Sequence, residues 1–220
     1  VQVADWGSID YELALARQRA LAASVARGQA VPVIVSCQHP ATVTLGRHAP
    51  KTDVLVDTQA LAGQGIGLVR SDRGGRATFH GPGQAVVYPI VRLADHRLSV
   101  KGWVALLEER AAHCLETAGV PVQKRCQGPG LWAAGGKIAS IGLRIVRGVS
   151  YHGMAINVSL DVSAFDCIVT CGAPDAAVTD IRRETGIELD TDGLGRDLAQ
   201  DIAATLTAQA TTSINEQAQA

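Results

Sequence analysis

A chain of 220 residues with 47% hydrophobic and 19% charged side chains carries ample material for a core, which excludes wholesale disorder. Its net charge of −1 and 4% aromatic content leave neither the positive excess nor the stacking platforms that nucleic-acid binding uses. No stretch approaches the roughly 20 apolar residues of a membrane span, and Val1–Asp10 lacks the basic start and apolar run of a signal peptide.

In chain order, Tyr11–Arg27 reads as a helix: Tyr11, Ala14, Leu15, Gln18, Leu21, Ala22 and Val25 share one face, and Gly28 stops it. Val31–Ser36 and Ala41–Leu45 are β-rich, and the intervening Gln38-His39-Pro40 suggests a hairpin. After a polar loop, Asp57–Ala62 is expected as a short helix ended by Gly63, and Leu68–Arg70 as a strand. Glycines at 74, 75, 81 and 83 bracket the short segment Arg76–His80, and a strong strand follows over Ala85–Val91. Ser99 caps a second long helix to about Thr117, closed at Gly119. Gly128–Gly136 reads as a glycine-rich turn around Trp132, and Lys137–Val146 and Tyr151–Leu160 as strands joined across Gly148. Asp175–Thr185 and Leu194–Ala208 are expected as late helices, and Thr211–Ala220 as a polar, frayed end.

Five cysteines, at 37, 114, 126, 167 and 171, are odd in number and scattered. That excludes a disulfide framework or a zinc knuckle and points to reduced thiols in a cytoplasmic enzyme with no metal. Cys37, Cys114 and Cys167 fall in strand, helix and packed contexts. Cys171 sits in Val169-Thr170-Cys171-Gly172-Ala173-Pro174, a turn just ahead of an expected helix, where backbone N–H groups and the helix end favour thiolate. Cys126, beside Lys124 and Arg125, is the rival nucleophile.

Lys137 heads a strand whose alternation groups it with Ala139, Ile141, Leu143 and Ile145. Apolar surroundings disfavour an ammonium, so a lysine here is suited to exchanging a proton, as none of the sixteen arginines is. Arg76, Thr78 and His80 share one face of a glycine-flanked segment, and His152 with Asn157 forms a third polar cluster. Arg73, Arg76, Lys124, Arg125, Arg144, Arg147, Arg182 and Arg183 lie in the motif-bearing half and are expected to form a basic rim around Cys171.

Arg73-Gly74-Gly75, Thr78-Phe79-His80, Gln84 through Tyr88, Gly136-Lys137-Ile138-Ala139-Ser140-Ile141-Gly142, Tyr151-His152-Gly153 with Asn157, and Cys171-Gly172 occur in one order along the chain. In these segments the sequence resembles the lipoyl(octanoyl) transferase family, from about Tyr11 to Leu206. Two positions depart from the family's pattern: Thr170, where proline is common, and Gly136, where a charged residue is common.

The resemblance implies an α+β fold, a single catalytic domain over residues 1–210 with a largely antiparallel mixed sheet flanked by helices, as in lipoate and biotin protein ligases. A disordered tail over 211–220 would follow. It implies transfer of an octanoyl or lipoyl group from acyl carrier protein to a lysine of lipoyl domains, those of 2-oxoacid dehydrogenase complexes and the glycine cleavage H protein. Cys171 would carry the acyl thioester and Lys137 would handle protons. Arg73, Gly74, Gly75, Arg76, Ala77, Thr78, Phe79 and His80 would contact substrate, with Ser140, Ile141, Gly142, Gly153, Met154 and Ala155; His152 and Asn157 would support them. No cofactor is implied beyond the phosphopantetheine of the donor. The alternatives are an ATP-dependent lipoate or biotin ligase on the same fold and a non-catalytic module binding acyl carrier protein.

Overall fold

The computed structural model describes residues 1–125, 128–170 and 177–218, the side chains of 210–218 excepted. Two β-sheets form its frame. The larger contains β1 (Gln2–Ser8), β2 (Val33–Gln38), β6 (Gln84–Arg92), β7 (Gly130–Ala133), β8 (Gly136–Val146) and β9 (Val149–Asn157), in the order β1-β2-β6-β9-β8-β7. Only the β1–β2 pair is parallel in this sheet. The smaller contains β3 (Thr42–Leu45), β4 (Gly67–Arg70) and β5 (Ala77–His80), with β3 central. The α+β class with a largely antiparallel sheet, read from the sequence, is what the chain adopts.

Three apolar clusters set the layers. One face of the large sheet packs α3 (Val100–Thr117) and α5 (Thr191–Ala218) through Trp103, Leu107, Leu115, Leu198, Ile202 and Leu206. The other face packs α1 (Tyr11–Ala26) through Tyr11, Leu15, Val35, Tyr88 and Ala155. The small sheet forms the third cluster with Leu61 of α2 (Thr58–Gly63) and with Phe165. Each fully buried Leu, Ile or Val adds roughly 1.5–3 kcal/mol to these cores. The N-caps are local: Asp10 accepts from Leu13 N at 3.0 Å and Ser99 from Gly102 N at 3.1 Å, worth about 1 kcal/mol apiece.

Four sequence expectations need correction. Val31–Ser36 and Ala41–Leu45 do not form a hairpin: β2 already has β1 and β6 as neighbours, and the chain leaves it at His39-Pro40 to begin the small sheet. His39 fixes that exit, its Nδ1 donating to Ile9 O at 2.7 Å and its Nε2 accepting from Tyr88 OH at 2.6 Å. The glycine-rich turn around Trp132 contains strand β7. The helix expected over Asp175–Thr185 is, among the described residues, only α4 (Ile181–Thr185), because Val178 bridges Lys137 in parallel before it. Edge strand β1 was not anticipated, since its side chains are mostly exposed and carry no apolar signal.

Candidate active site

Alternation along β5 turns Thr78 and His80 to one side and Phe79 to the other, where its ring meets Phe165 at 5.7 Å. Thr78 and His80 line a cavity of about 150 Å³ between the small sheet, the α1-side face of the large sheet, and Tyr11. Arg73, Gly74, Gly75, Arg76 and Ala77 line it from the approach to β5. Lys137, Ser140, Ile141 and Gly142 line it from β8, and His152, Gly153, Met154 and Ala155 from β9. Phe79 and Asn157 stand outside this lining.

The approach loop is clamped to both sheets. Arg73, 7% exposed, donates to Thr44 O at 2.7 Å and Thr44 Oγ1 at 2.8 Å, and Gly74 N donates to Leu143 O at 2.8 Å. Gly142 makes that approach feasible: a Cβ there would lie 3.0 Å from Gly74 O. Arg76 pairs through two nitrogens with the carboxylate of Asp53, which is 1% exposed.

Lys137 does not sit where simple alternation puts it. Leu131 faces Ala139 but Trp132 faces Lys137, so the β7–β8 register slips by one residue. Ile138 and Ala139 therefore both enter the α3/α5 core, and Lys137 turns to the opposite face with Ser140 and Gly142. It is 4% exposed, with Nζ 4.7 Å from the centre of the Trp132 ring, a cation–π placement.

A buried chain of side chains runs behind the cavity. Asn157 Nδ2 donates to Thr179 O at 2.9 Å, Gln84 Nε2 to Asn157 Oδ1 at 2.8 Å, and His80 Nδ1 to Gln84 Oε1 at 2.7 Å. His80 is held well below the usual histidine range, first by burial and then by His39 and Arg73. His39 is lowered by burial. On the far wall, His152 adopts φ 56° and its Nε2 donates to Asp72 Oδ1 at 2.9 Å, while Tyr151 OH donates to Oδ2 of the same carboxylate. That histidine bond holds the Asp72 carboxyl far below its ordinary range, and burial lowers the pKa of His152 against the opposing pull of Asp72.

Among the described cysteines, none is a ready nucleophile. Burial pushes the thiols of Cys37 and Cys167 up, and that of Cys114 up to about 11. Cys171 and Cys126 lie outside the described residues. The chain after 171–176 is fixed to a cavity wall, Lys137 N donating to Ala177 O at 2.8 Å and Thr179 N to Lys137 O at 3.0 Å, while Val169 N before it donates at 2.8 Å to O of Asp53, the partner of Arg76. Within the helix expected over Asp175–Thr185, Ala177, Val178 and Thr179 instead pair with Lys137.

The described residues hold no cluster of three His, Cys, Asp or Glu that could bind a metal. Of the eight residues expected in a basic rim around Cys171, four pair with carboxylates: Arg76 with Asp53, Lys124 with Glu108, Arg182 with Glu188 and Arg183 with Asp180. Tyr11 lines the cavity although the sequence reads it as a helix core residue, and Tyr88 lines it as the end of the Gln84–Tyr88 segment. Asp53, which follows the polar loop Gly46–Thr52 and to which the sequence assigns no role, pairs with Arg76 of the lining.

Residues 10–203 match the family model of the lipoyl protein ligase A/B catalytic domain. An octanoyltransferase of Alkaliphilus metalliredigens is 39% identical over 86% of this chain and 88% of its own. One of Chloroflexus aurantiacus is 41% identical over 82% of each. Among solved structures, the bipartite lipoate protein ligase of Thermoplasma acidophilum superposes with a TM-score of 0.69, covering 94% of this chain and 83% of its own at 14% identity. A biotin protein ligase from Aquifex aeolicus gives 0.56 at 12% identity, covering 94% and 70%. These two likenesses establish the fold alone.

Proposed function

This chain belongs to the lipoyl protein ligase A/B catalytic domain family, and we propose that it is an octanoyltransferase of protein lipoylation working through a thioester on Cys171. The donor is octanoyl, or lipoyl, on the phosphopantetheine of acyl carrier protein. The acceptor is a lysine of lipoyl domains in 2-oxoacid dehydrogenase complexes or the glycine cleavage H protein. The observation that carries the reading is the joint placement of Lys137 and the Arg73–His80 segment around one cavity, in a chain about 40% identical to octanoyltransferases.

The steps follow from thioester chemistry. Cys171 thiolate attacks the donor carbonyl, the tetrahedral intermediate collapses, and Lys137 gives its proton to the departing pantetheine thiol. The acceptor amine then attacks the enzyme thioester while neutral Lys137 takes a proton from it, leaving an amide, the Cys171 thiolate and the protonated Lys137 with which the cycle began. Both steps exchange one activated acyl group for another, so neither ATP nor a metal is needed. Backbone N–H groups beside Gly172 serve the oxyanion. Support for Cys171 comes from the anchoring of Thr179 to Lys137 on the cavity wall and of Val169 to Asp53, which pairs with Arg76 of the lining. The described residues include no helix long and apolar enough to cross a membrane, and a cytoplasmic site of action fits the reduced thiols this mechanism needs.

Intact mass after incubation with octanoyl-carrier protein, without ATP, tests the reading. One octanoyl group is expected on the unsubstituted chain and on Cys126→Ala, and none on Cys171→Ala. An adduct that persists in Cys171→Ala and vanishes in Cys126→Ala would overturn the assignment, and a strict ATP requirement would favour a ligase.

A further inference from the structure

The hydrogen-bond chain behind the cavity has a direction that chemistry fixes at every link. Thr179 O and Phe79 O can only accept, so the Asn157 and Gln84 amides must present nitrogen to them, at 2.9 and 3.2 Å. Asn157 Oδ1 then faces Gln84 Nε2, and Gln84 Oε1 faces His80. An oxygen at 2.7 Å from His80 Nδ1 demands a proton there. The Nε2–H tautomer is excluded. All three side chains are buried, at 6, 2 and 5% exposure for His80, Gln84 and Asn157. The His80 ring lines the cavity with Nδ1 turned away to Gln84, which leaves the Nε2 edge to the ligand side.

We propose that His80 is a further working group of the site, a hydrogen-bond acceptor held in one tautomer for an N–H of the attacking amine, with Gln84 and Asn157 as its positioning residues. The inference rests on the acyl-transfer reading. A neutral primary amine that attacks a thioester carries two hydrogens: one leaves to Lys137, and the other needs an acceptor that keeps the lone pair aimed at the carbonyl. The other nitrogen-bearing side chains on the lining suit this poorly. Arg73 and Arg76 are donors, and His152 Nδ1 is sealed from the solvent-accessible space.

The groups facing His80 favour the neutral ring. Tyr11 of α1 stacks on it at 5.5 Å, His39 from the β2–β3 connection abuts it at 5.6 Å, and Arg73 and His152 act from the approach loop and β9. Tyr88 of β6 and Lys137 of β8 complete the surroundings. No carboxylate lines the cavity among the described residues.

Gln84→Glu places a carboxylate on Nδ1 and makes the imidazolium favourable, so Nε2 becomes a donor below neutrality. Acyl-enzyme would be formed with octanoyl-carrier protein, then mixed with a lipoyl domain, and each half-reaction followed by mass from pH 5.5 to 8.5. The expected result is a new acid limb in aminolysis, falling about tenfold per pH unit, with no matching limb in acylation. His80→Gln, whose amide can donate to Gln84 and still present an oxygen, should aminolyse within about tenfold of the parent, and His80→Ala about a hundredfold slower. An aminolysis profile in Gln84→Glu parallel to the parent's overturns the role of His80, and so does an equal fall of both half-reactions in His80→Ala. Absence of any adduct on the unsubstituted chain overturns the acyl-enzyme reading itself.

Discussion

Gly130 tests the placement of Lys137 from outside the chemistry. It opens β7 with φ +136°, and a Cβ built there lies 2.4 Å from Ala139 O and 3.0 Å from Lys137 Cε. Both contacts fall on the register slip that turns Lys137 to the cavity. The disallowed backbone costs about 1–3 kcal/mol, and relieving the overlap with a β8 carbonyl adds about 1–3 kcal/mol. Gly130→Ala should therefore lose about 2–6 kcal/mol, on the order of 4–24 °C in Tm for a chain of this size. Under the proton-transfer role proposed for Lys137, transfer should suffer beyond that, because displacing its amine by about 1 Å costs on the order of a hundredfold. Gly63→Ala, at the end of α2 with open space around it, is the control and should stay within about 0.5 kcal/mol of the parent. Thermal unfolding by circular dichroism and octanoyl transfer at 20 °C would be measured on both. A Gly130→Ala chain that melts with the control and transfers at the parent rate would refute the account of the bulge.

Two further predictions follow from the same geometry. Lys137→Arg keeps the cation over Trp132 but cannot release its proton, so turnover should fall by about 10²–10⁴ with acyl-carrier binding retained; near-normal turnover would remove Lys137 from proton transfer. His39, His80 and His152 all have folded pKa values lowered by burial, so below about pH 6.5 the unfolded chain takes up protons that the folded one resists. Stability to urea should be full above that pH and decline by roughly 1 kcal/mol per histidine toward pH 5.5. Asp72, depressed instead, adds a separate loss only below about pH 4. A stability flat from pH 7.5 to 5.5 would contradict the buried, neutral state of these rings.

Much of the frame was legible because it is local. Ser99 caps the helix expected of it, the helices read from Tyr11 and from Asp57 form with Asp10 and Asp57 as their caps, and the Lys137–Val146 and Tyr151–Leu160 alternation pairs across Gly148 as read. The failures are non-local. Period-two counting set Lys137 on the apolar face, and only the partner strand β7, itself read as a turn, reveals the inserted residue that reverses it. The β2–β3 break was invisible because both runs look like strands, and nothing local says that β2 has its two neighbours already. Arg76, Thr78 and His80 were read as sharing a face, and they do. Asp53, which ties Arg76 to the chain before Cys171, carried no signal just past a loop of polar residues.

The cavity lies at a seam. Its walls are rooted in three separately packed cores: β8 in the α3/α5 cluster, Tyr11 and Tyr88 in the α1 cluster, and β5 in the cluster of Phe79 and Phe165. The width of the slot is therefore inherited from how the cores abut, and no single wall owns it. Selection can widen or narrow it by repacking residues such as Phe79 and Leu61, which stand outside the lining, while the polar groups of the cavity keep their chemistry. Acyl preference and catalysis can then drift apart in evolution, one recorded in the deep apolar positions of the small sheet and the other in the few side chains at the seam.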